Sequence, residues 1–341
     1  LQLHRQDPHL SPGWFFMIPI VIPQYEYVIM FLLIVLIVQI LKWRRIFSDS
    51  HQPAFDRLVT ELALPAIIFA SLTTTTIPAG WVLPVLMMFF TILVCILVAW
   101  GVCRAWKLPS ATTGSIVLLS AFGSTYTFAS PLISTIFGPQ SEEMSLGLAI
   151  ATFGVAIPFF TLGVLIAGHF GLIEKGKENH PVLILKNFLA TPIFLSFVLG
   201  LCVSLLITYL HVPGAGIFSD VFTDFFVVIR HSLDLLVWIA IGLLVRPIKL
   251  RTLAPFLTLV VAVQMIVQPA LLSCGAYAAG LSSIYRQVLF IMASMPAGAV
   301  AAVLADRYGC DGRLAAVLVV CTYLFSLVTI PLLLFVSGSF S

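Results

Sequence analysis

Two short stretches of this apolar chain hold residues that could bind a ligand. The sequence "STYTFASP" sets several hydroxyls beside a proline, and "SMPAG" centres on a second proline. Proline removes a backbone donor and clashes with the carbonyl one turn back, so each stretch predicts an interrupted helix. The freed backbone groups and the hydroxyls would form a polar site without formal charge. The candidate binding residues are Ser124, Thr125, Tyr126, Thr127, Ser130 and Pro131 at the first proline, and Ser294, Met295, Pro296, Ala297 and Gly298 at the second.

The same residues also have a purely structural interpretation. Pro131 and Pro296 can kink otherwise ordinary helices. Serine and threonine hydroxyls can bond back to carbonyls of their own helix. The sequence leaves both interpretations open.

Three charged residues fall inside apolar segments, where an unpaired charge is costly. Arg230 and Asp234 lie one turn apart on one helix face, which fits a structural ion pair. The same spacing fits equally a second interpretation, in which the carboxyl group of Asp234 takes up a proton or contacts a cation. Glu61 lies about one turn inside its segment, just before Pro65, and has the same two interpretations.

The composition identifies the class of protein that must position these residues. Apolar residues make up 60% of the 341-residue chain and charged residues only 9%, whereas soluble domains carry roughly 25% charge. The mean hydropathy is +1.12. We therefore predict an all-α, multi-pass integral membrane protein whose surroundings are a lipid bilayer.

Several functional classes are disfavoured by what the sequence lacks. A net charge of +3 without long runs of like charge argues against a nucleic-acid partner. The six cysteines are scattered singly, so no metal or cofactor is expected. The motifs of metal-dependent, aspartate-dependent or serine-dependent hydrolysis are also missing, so we do not expect an enzyme.

Ten stretches are apolar enough to cross a bilayer, for which about 20 residues are needed. They are 26–42, 55–73, 82–103, 110–137, 144–168, 186–210, 221–245, 253–279, 286–307 and 313–336. Of the 17 basic residues, 14 fall in or beside the connections on one side of the predicted membrane. The positive-inside rule then places both termini outside the cytoplasm, in a bacterial inner membrane or a plasma membrane.

The spans also divide into two similar halves of five. Pro131 and Pro296 are each followed, about one span later, by a further proline, Pro158 and Pro331. Inverted repeats with helices interrupted at matching positions are typical of secondary transporters. The predicted organisation is an extracytoplasmic lead-in (1–25), a first repeat (26–168), a cytoplasmic linker (169–185), a second repeat (186–336) and an extracytoplasmic tail (337–341).

Three segments carry a family resemblance. They are "LVTELALPAIIFASL" (58–72), "AFGSTYTFASPLISTIFG" (121–138) and "MPAGAVAAVLADRYGCDGRLAAVLVVCTYLFSLVTIPLLLFV" (295–336). The chain resembles the auxin efflux carrier family, most specifically in the last of these segments. The resemblance implies two inverted five-helix repeats whose broken fourth and ninth helices cross at the substrate site. It also implies an elevator-like secondary carrier of a small organic anion such as a carboxylate, in the direction of efflux.

The resemblance adds one site residue and marks three departures. Relatives have polar or small residues, commonly asparagine or glycine, where this chain has Ser124, Ala129 and Val300. Val300 thereby joins the expected binding residues. The coupling ion is left open between proton and sodium, and a homodimer is allowed because several related carriers dimerise through the first helices of the repeats.

Two alternatives keep the same fold but change the activity. The first is a sensor or receptor that binds a ligand without moving it. The second is a sodium-coupled symporter of the bile-acid type, whose acidic and amide residues beside the crossing are sparse in this chain.

Overall fold

The computed structural model describes residues 14–74, 78–174, 188–210 and 216–338, and within these ranges the chain is helical. The segment before Trp14, most of the predicted linker and the last three residues of the tail lie outside the described residues. Five helical segments are long and apolar enough to cross a membrane, namely Ile22–Trp43, Ala79–Ala105, Glu142–Glu174, Leu250–Ala278 and Gly312–Leu332. Shorter apolar helices occupy Ser110–Ala121, Pro192–Ser204, Ser232–Leu244 and Ser283–Ala293. The described part of the chain is therefore all-helical, with the long apolar helices of a membrane protein.

The helices follow one another through short connections. In the first half they are α1 (Trp14–Trp43), α2 (Gln52–Arg57), α3 (Leu64–Thr74), α4 (Val82–Ala105), α5 (Ser110–Ala121), α6 (Ser130–Phe137), α7 (Glu142–Ala149) and α8 (Val164–Glu174). In the second half they are α9 (Pro192–Leu210), α10 (Gly216–Leu244), α11 (Leu250–Ala262), α12 (Gln268–Ala278), α13 (Ser283–Ala293), α14 (Ala299–Tyr308) and α15 (Gly312–Gly338). Helix α1 begins at Trp14, so the second part of the expected lead-in is continuous with it.

Four prolines inside helical runs are preceded by the same local backbone structure. A wider π turn ends two residues before each of Pro65, Pro131, Pro158 and Pro269. Proline cannot donate the bond that an α-helix needs at its position and crowds the carbonyl one turn back. A π turn pairs each residue with a partner five positions away, so it absorbs both effects while the helix continues.

Our prediction that Pro131 interrupts its helix is therefore wrong. The helical run is unbroken from the π turn Thr125–Ala129 into α6, and Thr135 Oγ1 donates to the Pro131 carbonyl at 2.8 Å. The interruption lies earlier, at residues 122–124, where Phe122 takes an extended conformation. In the second half Pro296 does lie in the interruption, between α13 and α14.

The helices pack in two groups, which we call the outer group and the inner group. The outer group consists of α1, α2, α3, α9 and α10, in which α3 packs along α9 and α1 along α10. The inner group contains the remaining helices, including both interrupted ones. Contacts between the groups join α1 to α6 and α15, and α14 to α2 and α10.

Candidate functional site

The two interruptions bind each other through their backbones. The N–H of Ser124 donates to the Pro296 carbonyl at 2.8 Å, and the N–H of Gly298 donates to the Phe122 carbonyl at 2.8 Å. Gly123 and Ala297 thereby form an isolated antiparallel β-bridge. Buried backbone groups without partners are costly, above all where water is excluded. Each interruption is therefore stabilised by the other.

Gly123 allows this close approach. A Cβ atom at position 123 would lie 2.5 Å from Gln264 Nε2, 3.4 Å from the Met295 carbonyl oxygen and 3.5 Å from the Pro296 carbonyl oxygen. A residue with a side chain would push the two interruptions apart. Glycine rather than proline is therefore the residue that makes the first interruption possible.

Two buried glutamines satisfy the remaining carbonyls. Gln264 and Gln268 follow each other by one turn in the helical run α11–α12, and both are fully buried. Gln268 Nε2 donates to the Ala121 carbonyl at 3.4 Å, at the end of α5. The side-chain nitrogen of Gln264 donates to the Ser120 carbonyl at 3.0 Å and its oxygen accepts from the N–H of Gly123 at 3.3 Å, so it joins this helical run to the first interruption. This agrees with the expectation that such residues join helices in membrane proteins.

Tyr323 of α15 links both interruptions through one hydroxyl. The hydroxyl lies 3.3 Å from Ser124 Oγ, and it is near enough to the backbone of Ala299 to interact with it. Ala299 is the first residue of α14, so the hydroxyl lies at a helix N-terminus. The side chain is fully buried.

Tyr27 of α1 brings the outer group to the same place. Its hydroxyl is near enough to the side chains of Thr127 and Asp234 to interact with both. Asp234 is near enough to Tyr323 to interact with it electrostatically as well. The predicted residues Ser124, Thr127 and Asp234 are therefore gathered around two tyrosine hydroxyls.

Aromatic rings enclose this polar cluster. The Tyr27 ring packs edge-on against Phe128 and Trp238, with centroids 5.0 and 4.8 Å away. The Tyr323 ring packs against Phe31 and Phe128 at 4.6 and 4.8 Å. The polar groups therefore lie in apolar surroundings, where their hydrogen bonds are strong and any unpaired group is costly.

Other predicted residues of the first stretch have local partners. The hydroxyl of Tyr126 is hydrogen-bonded to Thr152 in the next helical run. Thr125 is buried, and its N–H donates to the Gly123 carbonyl at 3.0 Å. Ser130 is 5% exposed, and its hydroxyl has no hydrogen-bond partner among the described residues. Its unused hydrogen-bonding capacity distinguishes it from its neighbours.

The second stretch contributes mainly backbone groups to the site. Ser294 Oγ donates to the Phe290 carbonyl at 2.7 Å, which is the structural role considered above for such residues. Met295 and Ala297 are buried, and their main chains lie against the first interruption. Val300 is half-buried in the first turn of α14.

The charged candidate Glu61 lies apart from this cluster. Glu61 accepts a hydrogen bond from Arg307, in the last turn of α14, and so joins the outer group to the inner group. This pairing matches the structural interpretation of Glu61. The side chain of Arg230 lies outside the described residues.

Sequence reasoning missed four residues that build the site, namely Gly123, Tyr27, Phe128 and Tyr323. Tyr27 and Tyr323 are single aromatic residues in apolar helices, and nothing nearby in sequence marks them. Gly123 and Phe128 lie in or beside the stretch of hydroxyl residues, but they carry no polar side chain. The amides of Gln264 and Gln268 were the usable signal, because two buried amides on one face require carbonyl partners nearby.

Comparison with known proteins connects this arrangement to a family. A family model described as "membrane transport protein" matches residues 24–334, a range that includes both interruptions. A protein of Methanothermobacter thermautotrophicus named "uncharacterized transporter" is 25% identical over 314 residues. That match covers 90% of this chain and 96% of the relative.

Proposed function

The chain belongs to the membrane transport protein family, that of the auxin efflux carriers, and we propose from this premise that it is a secondary carrier of a small organic anion. The substrate, such as a carboxylate, binds where the two interrupted helices meet. Membership confirms the resemblance seen in the sequence. It makes the protein a membrane transporter.

The observation that carries the proposal is the mutual pairing of residues 122–124 with residues 296–298. The pairing keeps two helix ends open inside the protein, and helix N-termini favour negative charge. Ala299 begins one of these half-helices. The hydroxyls of Ser124 and Thr127 add neutral donors that would bind a carboxylate.

The division into two helix groups supports an elevator-like movement. The interrupted helices lie in the inner group, whereas α1 and α10 of the outer group supply Tyr27 and Asp234. In this proposal the inner group moves against the outer group and carries the substrate site with it. The proposal also includes a ten-span inverted repeat with both termini outside the cytoplasm, and transport in the direction of efflux.

Asp234 is the proposed coupling residue at the substrate site. A carboxylate beside Tyr27 and Tyr323 would repel an anionic substrate. Uptake of a proton by Asp234 would remove that repulsion, so proton and anion would bind together. Replacing Asp234 with asparagine should then abolish the proton dependence of transport, whereas an unchanged pH profile with normal expression would leave Asp234 a structural role only.

A sensor on the same fold is the second candidate. Val300 offers no amide to a carboxylate, and the hydroxyl of Ser124 is already bonded to Tyr323. A site of this kind could hold a ligand without releasing it. The experiment below separates the two candidates.

The test is charge movement by the purified protein in proteoliposomes on a solid support. The panel is malonate, malate and indole-acetate at several pH values, with and without sodium. A saturable current that is lost in Ser124→Ala and Thr127→Ala, but kept in Thr135→Ala, is the expected result. Thr135 is the control because its exposed hydroxyl bonds only within α6. Silence across the panel with intact protein would contradict the carrier of small carboxylates and favour the sensor, and a current that requires sodium at every pH would favour the sodium-coupled symporter.

A further inference from the structure

Gln24 of α1 is a buried amide without a partner inside the described part of the chain. The residue is 4% exposed, and neither its Nε2 nor its Oε1 has a hydrogen-bond partner among the described residues. A primary amide can both donate and accept hydrogen bonds. Burying such a group without partners is costly, most of all in a protein surrounded by lipid. The amide therefore has unused capacity for a ligand that both accepts and donates hydrogen bonds.

The amide faces the substrate site and not the lipid. Gln24 precedes Tyr27 and Phe31 by three and seven residues, so the three side chains share one face of α1. Phe31 is fully buried, and the Tyr27 ring packs 5.0 Å from the ring of Phe128 in the π turn after the first interruption. Ile29, on the opposite face of α1, is exposed. Gln24 therefore lies one helical turn, about 5.4 Å, from the tyrosine that brings α1 to the site.

The direction of α15 relative to α1 fixes the level of Gln24 in the protein. Phe31 packs against Tyr323, with ring centroids 4.6 Å apart. Tyr25, which comes earlier in α1, donates from its hydroxyl to the carbonyl of Leu327, which comes later in α15, at 3.1 Å. The two helices are therefore antiparallel, and Gln24 lies beyond the level of Tyr323 toward the start of α1.

The first interrupted helix follows α15 in the same direction. Ser115 Oγ of α5 donates to the Asp311 carbonyl at 2.9 Å, just before α15 begins, and Ser124 lies beside Tyr323 about three turns further along. Helix α6, which packs against α1, therefore continues toward the start of α1. Ser130 in its first turn, whose buried hydroxyl also lacks a partner among the described residues, thus lies near the level of Gln24.

Two unpartnered polar side chains, one from each helix group, therefore lie at one end of the substrate site. A carboxylate accepts hydrogen bonds but cannot donate. Bound alone, it would satisfy Nε2 of Gln24 and the hydroxyl of Ser130 but leave Oε1 of Gln24 without a donor. A hydroxyl group beside the carboxylate would supply that donor without adding charge.

We propose that Gln24 is a specificity-determining residue of the substrate site, which selects carboxylates that carry a hydroxyl group on the adjacent carbon. Its Nε2 donates to a carboxylate oxygen, and its Oε1 accepts from the hydroxyl of the ligand. Ser130 adds a second donor to the same ligand. The inference rests on the proposed function in that the ligand is a small organic anion.

Thermal stability without any ligand gives the first test. Gln24→Leu replaces the unpartnered amide with an apolar side chain of similar size, so the melting temperature of the purified protein should rise by about 2 °C or more. Gln39→Leu is the matched control on the same helix, since Gln39 Nε2 donates to the Gly242 and Val245 carbonyls at 2.8 and 3.0 Å. Its melting temperature should fall, because these carbonyls lose their donor.

Ligand binding by the full chain in lipid nanodiscs, measured by calorimetry, gives the second test. Lactate, propionate and alanine share one carbon skeleton and carry a hydroxyl, a hydrogen and an ammonium group beside the carboxylate. The wild type should bind lactate about 10-fold more tightly than propionate, because only lactate donates to Oε1. Gln24→Leu should bind the two alike, whereas Gln39→Leu should keep the preference. Gln24→Met replaces Gln24→Leu if the latter does not fold.

Four results would overturn the proposal. A lower melting temperature of Gln24→Leu without ligand would give the amide a structural role. Absent lactate binding, or equal binding of lactate and propionate by the wild type, would remove the selectivity. A lactate preference that persists in Gln24→Leu would assign it to another residue, and tighter binding of alanine would assign the acceptor to an ammonium group. Because calorimetry requires no transport, a lactate preference in a protein without currents would contradict only the carrier.

Discussion

The backbone N–H of Ser124 points at the carbonyl of Pro296, 2.8 Å away, although the two residues belong to opposite halves of the chain. A second bond of equal length runs from the N–H of Gly298 to the carbonyl of Phe122. In a membrane, backbone groups freed from a helix must find partners inside the protein. The two interruptions are thus one structural unit, and a change in either should affect both.

Gly123→Ala should destabilise the protein by about 1–3 kcal/mol, because the new methyl group crowds Gln264 and two carbonyls of the second interruption. The thermal unfolding of the purified protein measures this effect. Gly101→Ala in α4 is the matched control, since a Cβ there meets no atom within 4 Å. Equal melting temperatures for the two variants would contradict the close approach.

Gln264→Leu should cost about 1–3 kcal/mol, because it leaves the Ser120 carbonyl and the N–H of Gly123 without their side-chain partner. Gln140→Leu, on an exposed connection, should be close to neutral. Chemical or thermal unfolding in the same detergent compares them. A Gln264→Leu protein as stable as the wild type would mean that the amide is not needed there.

Tyr323→Phe removes the hydroxyl that is hydrogen-bonded to Ser124 but keeps the packed ring. We expect the apparent affinity for the transported anion to fall by about 10-fold, because the site loses the Tyr323 hydroxyl as a donor and Ser124 loses the partner that positions its own hydroxyl. Steady-state currents against anion concentration provide the measurement. Tyr277→Phe, whose ring is 75% exposed, should retain wild-type affinity, and an equal loss there would assign the effect to something other than the site.

Asp49 should give the protein an acid-sensitive contact. Lys42 Nζ lies 3.1 Å from Asp49 Oδ1, and together with Arg246 it holds the pKa of this carboxyl below its ordinary value. A lowered pKa in the folded state adds stability above the ordinary value, and this stability is lost as the pH falls through the folded value. The contribution should be about 1 kcal/mol or less, because the pair is exposed. Melting curves of Asp49→Asn against the wild type should differ at neutral pH and converge in acid.

The all-helical membrane class could be predicted, because apolar composition and segment length indicate it. Five helical segments of the described residues are long and apolar enough to cross a membrane. The count of ten spans stays a prediction. Pro296 also marked its interruption correctly. The prediction for Pro131 was wrong because a proline can accompany either a helix break or a π turn. The residue that permits the first interruption is Gly123, whose neighbours come from the other half of the chain.

The site depended on contacts that no local pattern contains. Tyr27 and Tyr323 look like ordinary aromatic residues until α1 and α15 bring their hydroxyls to Asp234 and Ser124. The pairing of Glu61 with Arg307 likewise follows from packing between the groups and not from spacing.

The π turns before Pro65, Pro131, Pro158 and Pro269 also have an evolutionary consequence. A turn closed over five residues accommodates one more residue than a turn closed over four. Each of these prolines therefore accompanies one additional residue in its helix. The additional residue changes which helix face every later residue of that helix occupies. Homologues that lack one of these prolines should align with this chain only after a one-residue gap at that turn, and an ungapped alignment there would pair residues that face different directions.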